Sequence, residues 1–212
     1  MDKTKLIEAI KQAKLASEKR KFTQSIDLIV NLNVIGKEKL EVASLATFPH
    51  KIKQRKVCAF IGPELKAEAE KYCDKVILDT QFDKYKKPRA IRSLRKDHDF
   101  FIAQANIMPE VAKTFGKYLA PIGKMPNPKF GMIVPPKAKL GPLTEKFKNS
   151  VIAQSKKIPV ISVRIGDEKL DDEKLAENAS ALIDSLVSNL PRKEQNIKSV
   201  LVKTTMGRPV KV

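Results

Sequence analysis

Residues 56–80 of the chain are KVCAFIGPELKAEAEKYCDKVILDT, and this stretch decides the fold class. KVCAFIG is a short apolar run typical of a buried strand, and KVILDT is a second one. Between them, PELKAEAEKYC has helical composition and places Pro63 at the favoured first position of a helix. Strand, helix and strand in this order are typical of a parallel βαβ unit, with helices on both faces of its sheet.

The same alternation continues along the middle of the chain. PRAIRSLRKD (88–97) and MPEVAKTFGKYL (108–119) have helical periodicity, and the apolar run HDFFIAQ (98–104) lies between them. The stretch that follows, 120–142, is too rich in proline and glycine for an ordinary helix or a central strand. LTEKFKNS (143–150) is the last predicted helix of this region.

The two ends of the chain have a different pattern. SIDLIVNLNV (25–34) alternates apolar and polar residues, which predicts a half-buried strand with an open polar face. Further strands are predicted in EVASLATF (41–48), IPVISVRIG (158–166) and IKSVLVKTT (197–205). Amphipathic helices are predicted over residues 3–19 and 171–190, the second with acidic residues at its start.

The charge points to a polyanionic partner. The chain has a net charge of +18 and a pI of about 9.8. Residues 52–149 contribute 21 basic and 10 acidic side chains, against 10 and 6 in 1–51 and 11 and 8 in 150–212. Nucleic acid is the expected partner and a membrane surface the weaker alternative. We find neither a transmembrane stretch nor a signal peptide, and Cys58 and Cys73 have no metal-site spacing, so we expect a cytoplasmic protein.

Catalytic patterns are absent from the sequence. His50 and His98 lack partners at metal-ligand spacing, and Gly123-Lys124 lacks the remaining residues of a phosphate-binding loop. FIGPE (60–64) follows a predicted strand without the Rossmann glycines, so an ordinary turn is expected there. We therefore expect no catalytic residue, no metal and no cofactor. The alternatives are a nucleotide-dependent enzyme using the middle region and a DNA-binding regulator.

Two stretches have the composition of an RNA-binding site. SEKRKFTQS (17–25) places Phe22 among cations and polar residues, so its ring is expected either on a base or ribose or inside the core. In the last strand, period two puts Ser199, Leu201, Lys203 and Thr205 on one face, and Val200, Val202 and Thr204 on the core face. The strand then ends in Met206-Gly207, where either an RNA-contacting edge or a simple glycine turn is possible.

Five motifs in order resemble the L-one family of large-subunit ribosomal proteins, the proteins of the mobile side stalk. They run from about residue 20 to the chain end, and the lysine-rich chain looks archaeal. The motifs are KFTQSIDLIVNL (21–32), TFPHKIKQRKVCAF (47–60), GKMPNPKFG (123–131), DDEKLAENASALIDSL (171–186) and SVLVKTTMG (199–207).

The resemblance implies an α/β protein of two domains. Domain I would be a two-layer α+β domain formed by residues 1–51 and 150–212. Domain II, residues 52–149, would be a three-layer Rossmann-like α/β insertion without nucleotide chemistry. The implied function is that of a ribosomal protein, monomeric when free. It would bind large-subunit 23S rRNA, assist the movement and release of tRNA at the exit site, and repress its own operon by binding the mRNA.

The resemblance also implies which residues contact RNA. Lys21 and Phe22 match the family directly, while Ser25 and Asp27 stand where many members have threonine and glutamate. Lys157 stands in AQSKKIP, where bacterial members are closer to Asn-Asp-Lys-Thr-Gly. The remaining matches are Ser199, Thr205, Met206 and Gly207, and Lys203 is added as an expected RNA contact because period two puts it on the same outward face.

The implied hinge consists of His50, Lys51, Asn149 and Ser150, with Lys51 replacing the glycine that follows this histidine in the family. The implied RNA contacts lie in domain I, whereas most of the net charge lies in domain II. We therefore expect domain I to provide recognition and domain II a long-range field for flanking RNA or passing tRNA.

Overall fold

The computed structural model describes residues 3–18, 20–33, 42–85, 87–136, 138–155 and 158–212. The chain divides into two compact units. Unit 1 consists of Met1–Lys53 and Asn149–Val212, and unit 2 consists of Gln54–Lys148.

Helices and strands alternate along most of the chain. The helices are α1 (Lys3–Leu15), α2 (Lys66–Tyr72), α3 (Pro88–Asp97), α4 (Met108–Leu119), α5 (Leu140–Lys148) and α6 (Asp172–Asn189). The strands are β1 (Ser25–Leu32), β2 (Ala43–Thr47), β3 (Val57–Ile61), β4 (Lys75–Leu78), β5 (Phe100–Gln104), β6 (Ile133–Val134), β7 (Ser150–Gln154), β8 (Val160–Asp167), β9 (Ile197–Thr204) and β10 (Val210–Lys211).

The main sheet of unit 1 is antiparallel, with strand order β10-β9-β1-β8. Alternate residues of β1 are buried, as its sequence pattern predicts. These inward residues join those of β8 and β9 in one hydrophobic core with α1 and α6. Because both helices pack on that side, the other side carries the residues that alternate with the core positions. Those residues are half-buried or exposed, so unit 1 has two layers and one open sheet face.

A second, two-stranded sheet in unit 1 joins β2 to β7. Ser44 of β2 fastens it to α6 through a hydroxyl pair with Ser185, 2.6 Å between the oxygens. The α6 residue Asn189 also donates to the Ser44 hydroxyl oxygen at 2.9 Å. The sequence did not predict β7, because its register depends on a partner strand that lies more than a hundred residues earlier.

The sheet of unit 2 is parallel, with strand order β4-β3-β5-β6. Strands β3 and β5 are buried along their whole length, as expected for a parallel sheet covered on both faces. On one face α3 and α4 pack around an aromatic cluster, in which the rings of Phe60 and Phe115 are 4.6 Å apart. On the other face α5 places Phe147 against Phe100 of β5, and α2 packs beside α5.

The α/β fold class expected from the sequence is confirmed, and unit 2 has the three layers that the βαβ rhythm indicates. The one strand that the described residues of the proline-rich stretch 120–142 contribute is the two-residue edge strand β6, which fits the rule that proline avoids central strands.

Candidate nucleic-acid interface

The open face of the unit 1 sheet collects half of the ten residues expected to contact RNA. Ser25 and Asp27 of β1 alternate with buried positions, and so do Ser199 and Lys203 of β9. Thr205 follows β9 directly and stays paired with β1 through its backbone N–H, which donates to the Ser25 carbonyl at 3.0 Å. Strand alternation and the antiparallel register therefore bring five expected residues from opposite ends of the chain onto one surface.

A row of charges crosses this face. Asp27 of β1 lies opposite Arg164 of β8 and Lys203 of β9 in the register of the sheet. Burial raises the pKa of the Asp27 carboxyl, and the charges of Arg164 and Lys203 lower it by less. Arg164 also forms an ion pair with Asp167. The row combines an acceptor for a hydroxyl or amine with two cations that suit phosphate.

Arg164 was missed as a candidate, although the sequence contains the signal for it. It alternates with the inward residues Val163 and Ile165 of β8, so its outward position follows from period two.

A second row of the same face is polar and uncharged. Asn31 of β1 lies opposite Ser199 of β9, and its side-chain amide donates to the Ser199 hydroxyl at 2.8 Å. The hydroxyl keeps its own proton for another acceptor. Ser199 is therefore held in place at the end of the face away from Thr205.

The start of β1 and the end of β9 are fastened by side chains as well as by the backbone. The Ser25 N–H donates to Thr205 Oγ1 at 3.0 Å, and the two hydroxyl oxygens are also 3.0 Å apart. Thr205 is exposed and Ser25 half-buried, so both hydroxyls border on solvent. The pair fixes the end of the two strands from which Met206 extends.

The buried residue Gln24, which was not among the expected site residues, holds the backbone after Thr205. Its side-chain oxygen accepts from the Met206 N–H at 3.2 Å, while its amide donates to the Ser17 hydroxyl at 2.8 Å and the Glu18 carbonyl at 3.0 Å. The signal was a polar residue at an inward position, two residues before the inward Ile26. The backbone of Met206 is thus held, while the residue itself is 62% exposed.

Gly207 is required by a contact within the protein. Its N–H donates to Thr204 Oγ1 at 3.0 Å, and Thr204 is 1% exposed. A Cβ atom at position 207 would overlap that hydroxyl oxygen. The inward orientation expected for Thr204 is confirmed, and its hydroxyl closes the turn after β9.

Phe22 lies outside the core, which excludes one of the two positions left open by the sequence. The residue is 51% exposed, and the neighbouring Lys21 is exposed too. Both residues precede β1 by a few positions and thus lead into the end of the strand where Ser25 meets Thr205. Lys157 lies outside the described residues. The RNA contacts of all these residues stay predictions.

The four expected hinge residues all belong to unit 1. His50 contacts α6 in two ways. Its ring Nε2 lies 2.7 Å from the Glu177 carboxylate, and its backbone N–H donates to the Asn178 side-chain oxygen at 3.1 Å. Lys51 is exposed, whereas Ser150 begins β7 and its hydroxyl lies 3.0 Å from that of Thr47.

The Asn149 carbonyl accepts from the Phe48 N–H at 2.9 Å. The chain passes from unit 1 to unit 2 between Lys53 and Gln54 and returns between Lys148 and Asn149. The hinge role of these four residues stays a prediction.

The crevice at which a doubly wound sheet usually binds a nucleotide is occupied by a side chain. Here it lies between the carboxyl ends of β3 and β5, where the strand order reverses. Gln104, 3% exposed, extends from β5 and accepts from the Gly62 N–H at 2.8 Å. That N–H is the group a phosphate would use, so the geometry argues against the nucleotide-dependent enzyme.

Lys124 likewise has a structural role. Its ammonium donates to the carbonyls of Arg95 at 2.8 Å and His98 at 2.7 Å, at the C-terminal end of α3. A cation there complements the helix dipole. Lys124 therefore caps the C-terminal end of α3.

Within the described residues we find no group of three or more histidine, cysteine or acidic side chains suited to a metal ion. Burial raises the pKa of the Cys73 thiol to about 11 and that of the Cys58 thiol further, so both stay protonated at neutral pH. None of the described helices is both long enough and apolar enough to cross a bilayer.

Comparison with known proteins gives one consistent family. The chain matches the model of the ribosomal protein L1p/L10e family over residues 11–208. It is 40% identical to the large ribosomal subunit protein uL1 of Thermococcus kodakarensis, with 100% of this chain and 98% of that protein aligned. It is also 40% identical to uL1 of Nanoarchaeum equitans, with 96% of this chain and 99% of that protein aligned. It is 35% identical to uL1 of Methanothermococcus thermolithotrophicus, with 100% of this chain and 99% of that protein aligned. The matches span both units.

Proposed function

Because the chain belongs to the ribosomal protein L1p/L10e family, and is thus a structural constituent of the large ribosomal subunit and not an enzyme, we propose that it binds 23S rRNA through the open sheet face of unit 1. This family membership also confirms the resemblance that the motifs indicated. The proposed contact surface consists of Lys21, Phe22, Ser25, Asp27, Lys157, Ser199, Lys203, Thr205, Met206 and Gly207.

The observation that carries this proposal is the edge where Thr205 is fastened to Ser25. Two hydroxyls bordering on solvent lie there beside the exposed Met206. Hydroxyl groups suit the ribose 2′-OH and phosphate groups of a wide RNA minor groove, and an exposed thioether suits the apolar face of a nucleoside. The row formed by Asp27, Arg164 and Lys203 continues this surface across the sheet.

Rigidity supports the proposal too. Thr205, Met206 and Gly207 are each held by a hydrogen bond from their own N–H to Ser25, Gln24 and Thr204 in turn. A surface held in one arrangement loses little conformational entropy on binding, so it suits recognition of a fixed RNA shape.

Co-sedimentation with large ribosomal subunits tests the proposal. Subunits stripped of their own copy are mixed with the protein at 500 mM KCl, which suppresses non-specific contacts, and are then pelleted (about 0.5 M suffices to screen exposed charges). We expect the wild type to pellet with large subunits at a ratio near one. The variant Thr205→Val should pellet less while keeping its fold. Absence from the pellet, or equal recovery with small subunits, would overturn the proposal.

We further propose that the same surface represses translation by binding the mRNA of the protein's own operon. One rigid surface that recognises one RNA shape binds any transcript that imitates it. Feedback requires rRNA to bind more tightly, so that repression begins only when rRNA sites are filled. Filter binding of an rRNA fragment and an operon mimic checks this, and equal affinities or tighter mRNA binding would contradict it.

A role at the exit site, in which the protein assists movement and release of deacylated tRNA, is proposed on the same family basis, together with a monomeric state of the free protein. Ribosomes lacking the protein should release exit-site tRNA more slowly. Size-exclusion chromatography with light scattering should give a mass near 23.8 kDa.

A further inference from the structure

We propose that α3 of unit 2 carries a second RNA-binding site, which takes the phosphate backbone of an RNA duplex without reading its sequence. The site consists of Arg89, Arg92 and Lys96. It goes beyond the proposed function, because that function places recognition on unit 1.

The charge of unit 2 is concentrated around this helix. Residues 84–96 contain seven of the 21 basic residues found in 52–149, and they contain no acidic residue. The long-range field expected from the basic middle of the chain therefore has a definite origin.

The helical repeat gathers three of these cations on one face. Arg89, Arg92 and Lys96 have the spacing i, i+3, i+7, which places them within about 60° of each other around the helix and along about 10 Å of its length. All three are exposed, while the buried residues Ile91 and Leu94 point to the opposite side. The cations thus form a stripe that faces away from the core of unit 2.

The stripe is available to a ligand. In the part of the chain that the structure describes, no hydrogen bond or ion pair engages the side chains of Arg89, Arg92 or Lys96. The nearest acid on the helix, Asp97, accepts from the Ser93 hydroxyl at 3.1 Å. The three charges are therefore not neutralised within the described residues.

The positions of these cations also destabilise α3 when no ligand is bound. The first turn of α3 contains Arg89 and no acidic residue, so a cation lies at the positive end of the helix dipole. Like charges three and four residues apart repel each other. A polyanion lying along the stripe removes both unfavourable interactions. An RNA backbone is the polyanion that a ribosomal protein meets.

A matched pair of triple variants of the full chain tests the site. The first is Arg89→Gln, Arg92→Gln and Lys96→Gln. The control is Lys66→Gln, Lys71→Gln and Lys146→Gln, which removes the same charge from α2 and α5 on the other face of the sheet. The probe is a 20-base-pair RNA duplex of arbitrary sequence at salt concentrations from about 50 to 300 mM KCl, where phosphate contacts show a strong salt dependence.

We expect the α3 variant to bind the duplex about tenfold more weakly at low salt, with a salt slope shallower by about 2, since roughly 0.7–0.9 counterions are released per phosphate contact. The control variant should lose less than twofold. Equal losses in the two variants would overturn the site, because net charge alone would then explain the binding. The site would also be overturned if the α3 variant bound phosphatidylserine vesicles more weakly but RNA as tightly as the wild type, because the stripe would then belong to a membrane contact.

Chemical footprinting of the wild type gives a second test that needs no variant. Bound duplex should protect Arg89 and Arg92 from phenylglyoxal, read by mass spectrometry, and leave the exposed Arg192 of unit 1 reactive. Unprotected Arg89 and Arg92 would overturn the proposal.

Thr205→Val separates this site from the proposed function. It should weaken binding of the rRNA fragment and leave duplex binding unchanged. If Thr205→Val has no effect on the rRNA fragment while the α3 variant loses duplex binding, the unit 1 assignment fails and the α3 site stands.

Discussion

Thr205 Oγ1 lies 3.0 Å from the backbone nitrogen of Ser25 and 3.0 Å from the Ser25 hydroxyl oxygen, although the two residues are 180 positions apart. The hydroxyl of Thr205 therefore joins the end of β9 to the start of β1 in addition to any contact with RNA. A threonine hydroxyl has one donor and two acceptor sites. The Ser25 N–H takes one acceptor site, the Thr205 hydroxyl donates to the Ser25 carbonyl at 3.3 Å, and the Ser25 hydroxyl oxygen lies at 3.0 Å. A hydrogen bond from this hydroxyl to RNA would therefore replace one of these internal contacts.

Thr205→Val should reduce rRNA affinity by roughly 1–3 kcal/mol, because an RNA polar group loses its partner. This corresponds to about one to two decades in Kd. The melting temperature should fall only slightly, since the Ser25 N–H is near solvent and water can replace the lost acceptor. Isothermal titration with an rRNA fragment and a thermal melt measure the two effects.

Thr204→Val is the matched control, for which we expect a larger effect on stability than on RNA affinity. Thr204 is buried, and its loss leaves the Gly207 N–H without its acceptor. Stability should therefore fall more than for Thr205→Val, and affinity less. A folded Thr204→Val protein that binds RNA more weakly than Thr205→Val would show that the wrong face has been assigned to RNA.

Gly207→Ala should destabilise the turn after β9 by about 1–3 kcal/mol, the usual cost of overpacking. The new methyl group would overlap the Thr204 hydroxyl oxygen. Removing that oxygen with Thr204→Ala should relieve the overlap, so the double variant should be more stable than the sum of the single effects. Urea denaturation of the four proteins measures the coupling. Strict additivity would mean that Gly207 is required for another reason.

Asp27→Asn should stabilise the free protein at neutral pH. Burial raises the pKa of Asp27 above its ordinary value of 3.8, so the folded state binds the proton more tightly than the unfolded state. The stability of the wild type therefore falls as the pH rises through the raised pKa. Thermal melts between pH 4 and 7 should show an advantage for Asp27→Asn that narrows towards pH 4. An advantage that grows as the pH falls would contradict the direction of the shift.

Asp27→Asn should at the same time weaken rRNA binding, because a carboxylate accepts a hydrogen bond from a 2′-OH more strongly than an amide does. Unlike the loss of a phosphate contact, this loss should persist at high salt.

Unit 1 should fold and bind rRNA without unit 2. Its core is one continuous cluster that includes α1, α6 and the inward faces of β1, β8 and β9. Replacing residues 54–148 with a short glycine-serine linker should leave a cooperative melt and most of the binding free energy. The salt slope should be shallower, since the basic residues of unit 2 are gone. If unit 1 folds but loses most of its rRNA affinity, the recognition surface has been assigned to the wrong unit.

The sequence was most informative where local periodicity decides the structure. Period two in SIDLIVNL predicts the buried face of β1, and the same rule puts Thr204 inward and Thr205 outward. Alternating apolar runs and helices predict the parallel sheet of unit 2.

Long-range pairing lay beyond the sequence pattern. Strand β7 needs β2 as its partner, and the register that sets Ser25 against Thr205 comes from tertiary structure. For the same reason the sequence left open whether Gly207 belongs to an RNA-contacting edge or to a simple turn, and it did not indicate the contact of Gly207 with Thr204. Gln24 and Lys124 act through backbone groups that are distant in sequence, so pattern alone did not identify their partners.

The most direct test of the central claim compares two double variants in binding a 23S rRNA fragment. Lys203→Gln with Met206→Ala removes one cation and one exposed apolar side chain from the proposed surface. Lys117→Gln with Ile122→Ala removes the same kinds of side chain from unit 2, where both are exposed. If RNA lies on the open sheet face, the first protein should bind about a hundredfold more weakly, because it loses roughly 1–3 kcal/mol for a stacked side chain and one phosphate contact. The second protein should bind within about threefold of the wild type. Both proteins should keep the wild-type melting temperature. Equal losses in the two proteins, or a greater loss in the second, would contradict the assignment of rRNA recognition to this face.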